Sequence, residues 1–189
     1  MIRGSHIVSL NAGDAGSGAR VLDLGDATLM PGLIDAHTHV SAAAVIDRNL
    51  GVYQTPDRPF GFSVPEAAIL SIRNAQAMLR NGFTTIRDVG GGSEIDIALR
   101  DTIARGYVTG PRMLVCGTSL SITGGHGDFT NSLAPDVHVD RPSGVSFGPY
   151  GFRELVREHV KRHVDIIKIL ATGGVLSYGD VWNVPQLNP

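Results

Sequence analysis

Three features that are scarce or missing in this 189-residue sequence limit the classes of protein to which it belongs. The single cysteine, Cys116, excludes an internal disulfide framework and suits a reducing compartment, so we expect a cytoplasmic protein. No stretch approaches the ~18 apolar residues of a membrane span, and we expect no signal peptide because the start has no long apolar region. A net charge of −2 offers no basic surface. The composition therefore predicts a globular protein without nucleic-acid or membrane partners.

Glycine, in contrast, is abundant: it makes up 24 of the 189 residues, about 13%, against a usual share of about 7%. This abundance predicts many tight turns. Gly90, Gly91 and Gly92 lack the lysine and serine that follow the glycines of a phosphate-binding loop, so a tight strand-to-helix turn is favoured there. Cys116 ends an apolar segment, which predicts a buried structural thiol and not a nucleophile.

The sequence divides near residue 30 into two parts of different pattern. Short strands are predicted at 7–10 and 20–24, separated by a turn region rich in glycine, aspartate and serine. We interpret residues 1–30 as the N-terminal part of a small β-sandwich domain. The main domain is expected to follow at residues 31–189.

From residue 31 onward, predicted strands alternate with predicted helices. Ser63 and Glu66 form a capping-box signature at the start of the first helix, which stops at Gly82. Helical crossovers require parallel strands with right-handed connections. The strands are expected at 33–40, 83–89, 112–117 and 164–170, and the helices at 63–82, 93–106 (capped by Ser93) and 152–163.

Four such strands fit the N-terminal half of a (β/α)₈ TIM-type barrel, since a whole barrel needs ~250 residues. We therefore expect residues 31–189 to be the first half of a barrel truncated after the fourth strand. An open four-stranded α/β domain is the structural alternative. In a barrel, the working residues lie at the C-terminal ends of the strands.

His37 and His39 end the first predicted strand. Alternate side chains of a strand point to the same face, with Cα atoms roughly 6.6 Å apart, so two imidazoles at this spacing can bind one metal ion. Two surface histidines at a strand end are the alternative interpretation of this pair.

Lys168 interrupts an otherwise apolar strand near its end. Lysine is rarely buried unless it is paired, because removing an ammonium group from water is costly. Burial favours the neutral amine, a nucleophile that can add carbon dioxide and become a carbamate with two metal-binding oxygens. The alternative is a lysine that reaches solvent at the barrel mouth or pairs with a carboxylate.

Several segments together resemble the amidohydrolase superfamily. The segment Pro-Gly-Leu-Ile-Asp-Ala-His-Thr-His at 31–39 resembles its first-strand signature, and 21–25 resembles the strand leading into it. Residues 167–169 with 171–175 are similar to the carboxylated-lysine strand of its binuclear members. The loop at 118–128 resembles the imidazolonepropionase-related branch that includes Xaa-Pro dipeptidases (prolidases) and ochratoxin-type amidases.

This resemblance implies a binuclear centre of two divalent ions, usually Zn²⁺. His37 and His39 would bind one ion, N6-carboxylated Lys168 would bridge both ions with a catalytic role, and a metal-activated water would attack a carbonyl. His126 would contact the substrate. The family also needs two histidines and an aspartate from later strands, which we expect beyond residue 189, so we expect the fragment alone to bind metal weakly and to be inactive.

Other polar residues keep two interpretations each. His126 lies in a glycine loop, where it either contacts substrate or hydrogen-bonds the backbone. Asp88 either orients a metal ligand or pairs with Arg87. Asp35, two residues before His37 on the same face, either orients a ligand or has a structural role. For the helical pair His159 and His163 a solvated charged face is favoured over a metal site, and residues 53–62 form either a substrate lid or a packed loop.

The favoured function is metal-dependent hydrolysis of an amide C–N bond in a small molecule or dipeptide, with Xaa-Pro or N-acyl amino-acid substrates. Cyclic amide or imidazolone hydrolysis within the same superfamily is one alternative, and a non-catalytic α/β binding module is the other. A half barrel exposes two sheet edges and apolar helix faces, so we also expect a homo-oligomer.

Overall fold

The computed structural model describes residues 1–10, 16–41, 62–174 and 181–187. Its contacts divide the chain into two units, Met1–Pro31 and Gly32–Pro189. No helix within the described ranges combines the length and apolar character needed to cross a membrane. The segment expected to be a lid or a packed loop, 53–62, lies outside the described residues except for its last position.

A short hairpin begins the first unit. Strands β1 (Ile2–Arg3) and β2 (His6–Ile7) are antiparallel, with Ile2 opposite Ile7. The turn between them passes through Gly4, whose φ of +60° lies in the left-handed region that favours glycine. This hairpin is the only sheet among the described residues of the unit.

The two strands predicted in this unit are largely wrong. Only Ile7 of the segment 7–10 is in a strand, and 20–24 contains none. Val21 is 79% exposed and has no strand partner in the described part of the unit. An Asx turn follows instead, because Asp23 accepts a hydrogen bond from the Gly25 N–H at 2.8 Å.

Three parallel strands form the sheet of the second unit. They are β3 (Leu33–Thr38), β4 (Phe83–Asp88) and β5 (Arg112–Val115), in that spatial order. Helices α1 (Val64–Arg80) and α2 (Ile95–Ala104) lie between consecutive strands in the chain. The parallel pairing and the intervening helices confirm the predicted α/β class.

The first helix begins and ends where the sequence predicts. Glu66 accepts hydrogen bonds from the N–H (3.1 Å) and the hydroxyl (2.8 Å) of Ser63, which satisfies the free backbone group before the first turn. Gly82, with φ of +90°, follows the C-cap residue Asn81 and redirects the chain into β4.

The second helix begins later than predicted. Ser93 and Glu94 both have left-handed backbones, with φ of 52° and 60°, and the helix starts at Ile95 with Glu94 as its N-cap. The expected cap at Ser93 is therefore wrong. The turn after the glycine run continues through two non-glycine residues before helical geometry becomes possible.

The core lies between the sheet and the two helices. Ile86 and Val115 are completely buried on the strand side, and Ala75 and Leu99 meet them from the helices. Cys116 is also completely buried, and burial first, then the nearby carboxylates, raise the pKa of its thiol to about 12. The expectation of a structural thiol is confirmed. The buried core residues are Val40, Ala75, Ile86, Leu99, Met113 and Val115.

The predicted loop at 120–150 contains short regular elements. Strands β6 (Ser121–Ile122) and β7 (Val145–Ser146) form a parallel pair. A 3₁₀-helix covers Phe129–Ser132 between them. The pair fixes the base of a loop that rises from the end of β5.

Helix α3 (Gly148–Lys161) begins four positions before the predicted start of 152 and ends near its predicted end. Pro149 lies in its first turn, where a missing N–H costs nothing. The sequence pattern missed this turn because its first residues carry no helical periodicity.

The predicted fourth strand at 164–170 is not a regular strand. It makes one isolated parallel bridge, between Ile169 and Leu120, and the Leu120 N–H donates to the Lys168 carbonyl at 2.8 Å. Its neighbour β5 ends at Val115, so the two segments meet at separate points and not along a continuous ladder. The expected position next to β5 holds, but the extent of pairing was overestimated.

Asp165 joins this segment to β5 and to α2. Its carboxylate accepts from the backbone N–H of Val115 at 2.9 Å and from the Arg100 guanidinium at 2.9 Å. Arg100 also donates to the His163 carbonyl at 2.8 Å. The contact fixes where the chain enters the segment that carries Lys168.

We expect Asp165→Ala to lower the free energy of unfolding by about 1–3 kcal/mol, because the half-buried Val115 N–H loses its acceptor. Asp101→Ala is the matched control, since it removes only the other, more exposed partner of Arg100 and should cost less than about 1 kcal/mol. Urea unfolding of both variants measures the difference. Equal losses would show that Arg100, and not the Val115 N–H, determines the effect.

Candidate active site

His37 and His39 lie side by side at the end of β3. Thr38 between them points into the core and donates its hydroxyl to the Arg87 carbonyl at 3.1 Å, whereas both histidines are exposed. The ring centroids are 5.4 Å apart with an interplanar angle of 62°. Strand alternation thus brings two imidazoles to one face, with their planes crossed and not stacked.

A backbone carbonyl determines which nitrogen of His39 carries the proton. Nδ1 of His39 lies 2.7 Å from the carbonyl oxygen of Gly90. A carbonyl only accepts hydrogen bonds, so Nδ1 is the protonated nitrogen. Nε2 of the neutral ring then keeps its lone pair, which is the form in which a histidine binds a metal ion.

Positive charges surround His37. Loss of surrounding water lowers the pKa of His37, and the charges of Lys168, His39 and Arg87 lower it further. Among the described residues, the carboxylate of Asp35 acts in the opposite direction and raises it. The structure therefore brings the side chain of Lys168 close enough to His37 for their charges to interact, although 131 positions separate them in the chain.

The two nearby carboxylates have different surroundings. Asp35 accepts a hydrogen bond from the backbone N–H of His37 at 3.0 Å, which supports the end of the strand. Asp88 does not pair with Arg87, whose guanidinium donates to the Ala36 carbonyl at 2.6 Å instead. The structural interpretation of Asp88 as a partner of Arg87 is wrong.

Asp88 is completely buried at the end of β4. It accepts from the N–H of Ser41 at 3.0 Å, from the Ser41 hydroxyl at 2.9 Å and from the Gly90 N–H at 3.1 Å. The same Gly90 supplies the carbonyl that receives His39. Asp88 thus contacts the backbone at Ser41, two residues after the candidate ligand His39, and the backbone at Gly90, whose carbonyl faces the His39 ring.

His126 lies in the glycine loop beyond β5, half-buried. Its backbone N–H donates to the Gln186 side chain at 3.1 Å. Its imidazole packs against Gly174, where a Cβ atom would overlap the ring. Because Gly174 follows the segment that carries Lys168, the loop and that segment meet at His126.

Asp128 stabilises the same loop. Burial favours its protonated form, but hydrogen bonds from the Gly124 N–H and from Thr130 outweigh that effect and hold the pKa of Asp128 below its ordinary value. The carboxylate is therefore a loop support whose hydrogen-bonding capacity is used within the loop.

His159 is buried, so the predicted solvated face is wrong for this residue. Its Nδ1 lies 2.8 Å from the Leu155 carbonyl and its Nε2 lies 2.7 Å from the Thr118 carbonyl. Both ring nitrogens face acceptors, so the ring is not placed to bind metal. His163 is exposed in a left-handed turn beyond the end of α3.

Two contributors to this region could not be found in the sequence. Gly90 acts through a backbone carbonyl, for which no residue type gives a signal. Asp96 resembles an ordinary acidic residue in the first turn of a helix, yet it is completely buried, and burial raises its pKa. One of its oxygens accepts from the Gly117 N–H at 2.7 Å, and the other has no hydrogen-bond partner among the described residues.

The donor chemistry of the region fits part of a divalent-metal site. Two imidazoles are ligands that zinc prefers, and a protein centre usually has three or four ligands. Within residues 1–10, 16–41, 62–174 and 181–187, no three histidine, cysteine, aspartate or glutamate side chains converge. His37, His39 and Lys168 are therefore the candidate ligands that this part of the chain brings together.

The model of the Amidohydrolase family matches residues 28–189, which is most of the chain. Among curated proteins, ochratoxinase from Aspergillus niger is 30% identical over 175 residues, covering 85% of this chain and 34% of that protein. The match to the family includes His37, His39 and the segment that carries Lys168, since all of them lie within residues 28–189.

Solved structures similar to this chain include a Xaa-Pro dipeptidase and a prolidase. A Xaa-Pro dipeptidase with methionine bound in its active site shares 38% identity, with a TM-score of 0.72, over 84% of this chain and 37% of that one. A prolidase complexed with N-methylphosphonate-L-proline shares 36% identity, with a TM-score of 0.66, over 89% of this chain and 42% of that one. The chain thus spans about two fifths of these two neighbours and about a third of ochratoxinase.

Proposed function

The chain belongs to the amidohydrolase family, and from that membership we propose that the protein carrying it hydrolyses an amide C–N bond with a metal-activated water. Xaa-Pro dipeptides and N-acyl amino acids are the favoured substrates. The similarity to a Xaa-Pro dipeptidase, to a prolidase and to ochratoxinase supports this choice over a cyclic amide or imidazolone. Members of the family generally bind divalent metals.

The observation that carries the proposal is the hydrogen bond from His39 Nδ1 to the Gly90 carbonyl. In the neutral ring it leaves the lone pair on Nε2, and the ring is exposed beside His37. A surface histidine without a role has no need of a fixed tautomer, whereas a metal ligand does. We assign His37 and His39 as ligands of one ion, with Zn²⁺ as the preferred metal.

The charges around His37 support carboxylation of Lys168. A divalent cation bound beside the ammonium of Lys168 and the guanidinium of Arg87 would be repelled by both. Addition of carbon dioxide to the neutral amine forms a C–N bond, releases one proton and leaves a carbamate anion. That change replaces a repelling charge with a ligand, so carboxylation and metal binding favour each other.

His126 is proposed to contact the substrate from the loop above the strand ends. It is half-buried, and it lies where that loop meets the segment after Lys168. Its packing on the Gly174 backbone fixes the ring against a surface that follows a proposed ligand. A histidine held in this way can donate to a substrate carbonyl or carboxylate without first losing side-chain freedom.

The wider organisation is also proposed. Residues 1–30 form the N-terminal part of a β-sandwich domain, and 31–189 form the first half of the catalytic barrel of a cytoplasmic homo-oligomer. Ile34 and Leu114, on the sheet of the second unit, are 71% and 40% exposed, which fits a surface that further strands or another subunit would cover.

The proposal is tested with the full-length protein on a panel of Xaa-Pro dipeptides, N-acyl amino acids and a cyclic imide, before and after removal of metal by a chelator. We expect hydrolysis of one of the first two groups, lost on chelation and restored by Zn²⁺. Activity on the cyclic imide alone would favour the alternative substrate class, and a metal-free preparation that hydrolyses dipeptides would refute the mechanism.

The 189-residue chain provides a second measurement. We expect it to bind well under one equivalent of Zn²⁺ per chain and to hydrolyse no substrate, because two histidines are fewer ligands than a zinc centre uses and the Lys168 ammonium is no ligand until it is carboxylated. Turnover of a dipeptide by this chain would contradict the assignment of further ligands to later strands.

A further inference from the structure

The carboxylate of Asp88 is buried completely and accepts three hydrogen bonds, all from Ser41 and Gly90. Burying a carboxylate is costly, and hydrogen bonds compensate for only part of that cost. A buried carboxylate at such a position is expected to fix the groups that donate to it. Both of its partners lie next to His39: Ser41 two residues after it in the chain, and Gly90 at its ring.

One peptide group is held from two sides. The N–H of the Val89–Gly90 peptide donates to Asp88 at 3.1 Å. The carbonyl of the same peptide, on Val89, accepts from the Ser119 hydroxyl at 2.9 Å. With both ends of this peptide engaged, its plane cannot rotate without breaking a hydrogen bond.

The next carbonyl along the chain is the one that His39 uses. Gly90 has a φ of +124°, which only glycine adopts readily, and a Cβ atom there would lie 2.5 Å from the Ser119 hydroxyl oxygen. The held peptide and the glycine geometry together direct the Gly90 carbonyl to His39 Nδ1 at 2.7 Å. The position of this acceptor is therefore determined by Asp88 and Ser119.

We propose that Asp88 and Ser119 are positioning residues for His39: by holding the Val89–Gly90 peptide, they keep the ring in its Nδ1-protonated form with Nε2 available to a divalent metal ion. This inference rests on the proposed function for the identity of the ligand, but the tautomer of His39 is a property of the chain alone. Asp88 also fixes the backbone after the ligand through Ser41.

The experiment compares Ser119→Ala with Ser71→Ala in the full-length protein. Ser71 is a matched control because its buried hydroxyl also donates to one backbone carbonyl, that of Ala67 at 2.7 Å, but within α1 and away from the histidines. We expect Ser119→Ala to weaken Zn²⁺ binding about 10–100-fold in competition with a chelator. Ser71→Ala should leave Zn²⁺ binding unchanged.

A second readout follows the tautomer in the metal-free protein. Nitrogen-15 NMR of labelled histidine should show His39 protonated at Nδ1 in the parent and in Ser71→Ala, and a mixture of tautomers in Ser119→Ala. Asp88→Ala, which removes the acceptor of the Gly90 N–H, should have the same effect. Ser119→Ala with the parental tautomer and the parental Zn²⁺ affinity would overturn the inference.

The two proposals fail separately. If the parent protein binds no Zn²⁺ and hydrolyses no amide, the proposed function is wrong, but a shift of the His39 tautomer in Ser119→Ala still supports the positioning role. If Zn²⁺ binding and turnover are present and Ser119→Ala changes neither tautomer nor affinity, the proposed function stands and the positioning role is wrong.

Discussion

Replacement of His39 by glutamine is expected to reduce dipeptide turnover by the full-length protein by more than about 100-fold, a larger loss than removal of a ligand's hydrogen-bond partner causes. Glutamine retains an N–H that can donate to the Gly90 carbonyl, so the local backbone should persist. What is lost is the imidazole nitrogen, and an amide oxygen is a poorer ligand for zinc. Metal analysis should show fewer bound ions per chain.

His138→Gln is the matched control for this experiment. His138 is exposed in the loop between the 3₁₀-helix and β7, and nothing in the proposed site depends on it. Its substitution should leave turnover and metal content at the values of the unsubstituted protein. If His39→Gln retained full metal content and turnover, the pair at the end of β3 would be a surface feature and the centre would lie elsewhere.

The parts of the site that sequence predicts are those carried by side-chain type and strand period. His37 and His39 lie on one face because a strand alternates, and Lys168 stands out because a charge interrupts an apolar segment. The position next to β5 of the segment that carries Lys168 follows from the alternation of strands and helices. Its pairing at separate points, Val115 and Leu120, does not, since hydrogen-bond continuity depends on where β5 ends.

The remaining parts depend on backbone groups and on burial. The Gly90 carbonyl has no side chain to reveal it, and its direction results from a peptide held by residues 31 positions apart in the chain, Asp88 before it and Ser119 after it. His159 looks like part of a charged helical face, and only the packed structure shows its ring between two carbonyls. Tertiary hydrogen bonds of this kind leave no local pattern in the sequence.

Replacement of Lys168 by alanine is expected to remove nearly all turnover, for a different reason from the loss of His39. The substitution deletes the Lys168 charge, which after the loss of surrounding water is the next cause of the lowered pKa of His37, so no repelling ammonium remains beside the histidine pair. It also deletes the proposed bridge between two ions. We therefore expect the variant to retain one bound ion, to lose the second and to recover part of its activity when acetate or propionate supplies a carboxylate.

The second lysine of the chain provides the control. Lysine occurs only at positions 161 and 168, and Lys161 lies exposed on α3. In protein loaded with metal and ¹³C-bicarbonate, a carbamate carbon signal should be present in the parent and in Lys161→Ala and absent in Lys168→Ala. A carbamate signal that persists in Lys168→Ala would show that the modified amine is not Lys168. An ammonium beside His37 opposes metal binding unless it is converted into a ligand, which is why a bridging carbamate is proposed. A fully active Lys168→Ala without added carboxylate would show that this bridge is unnecessary.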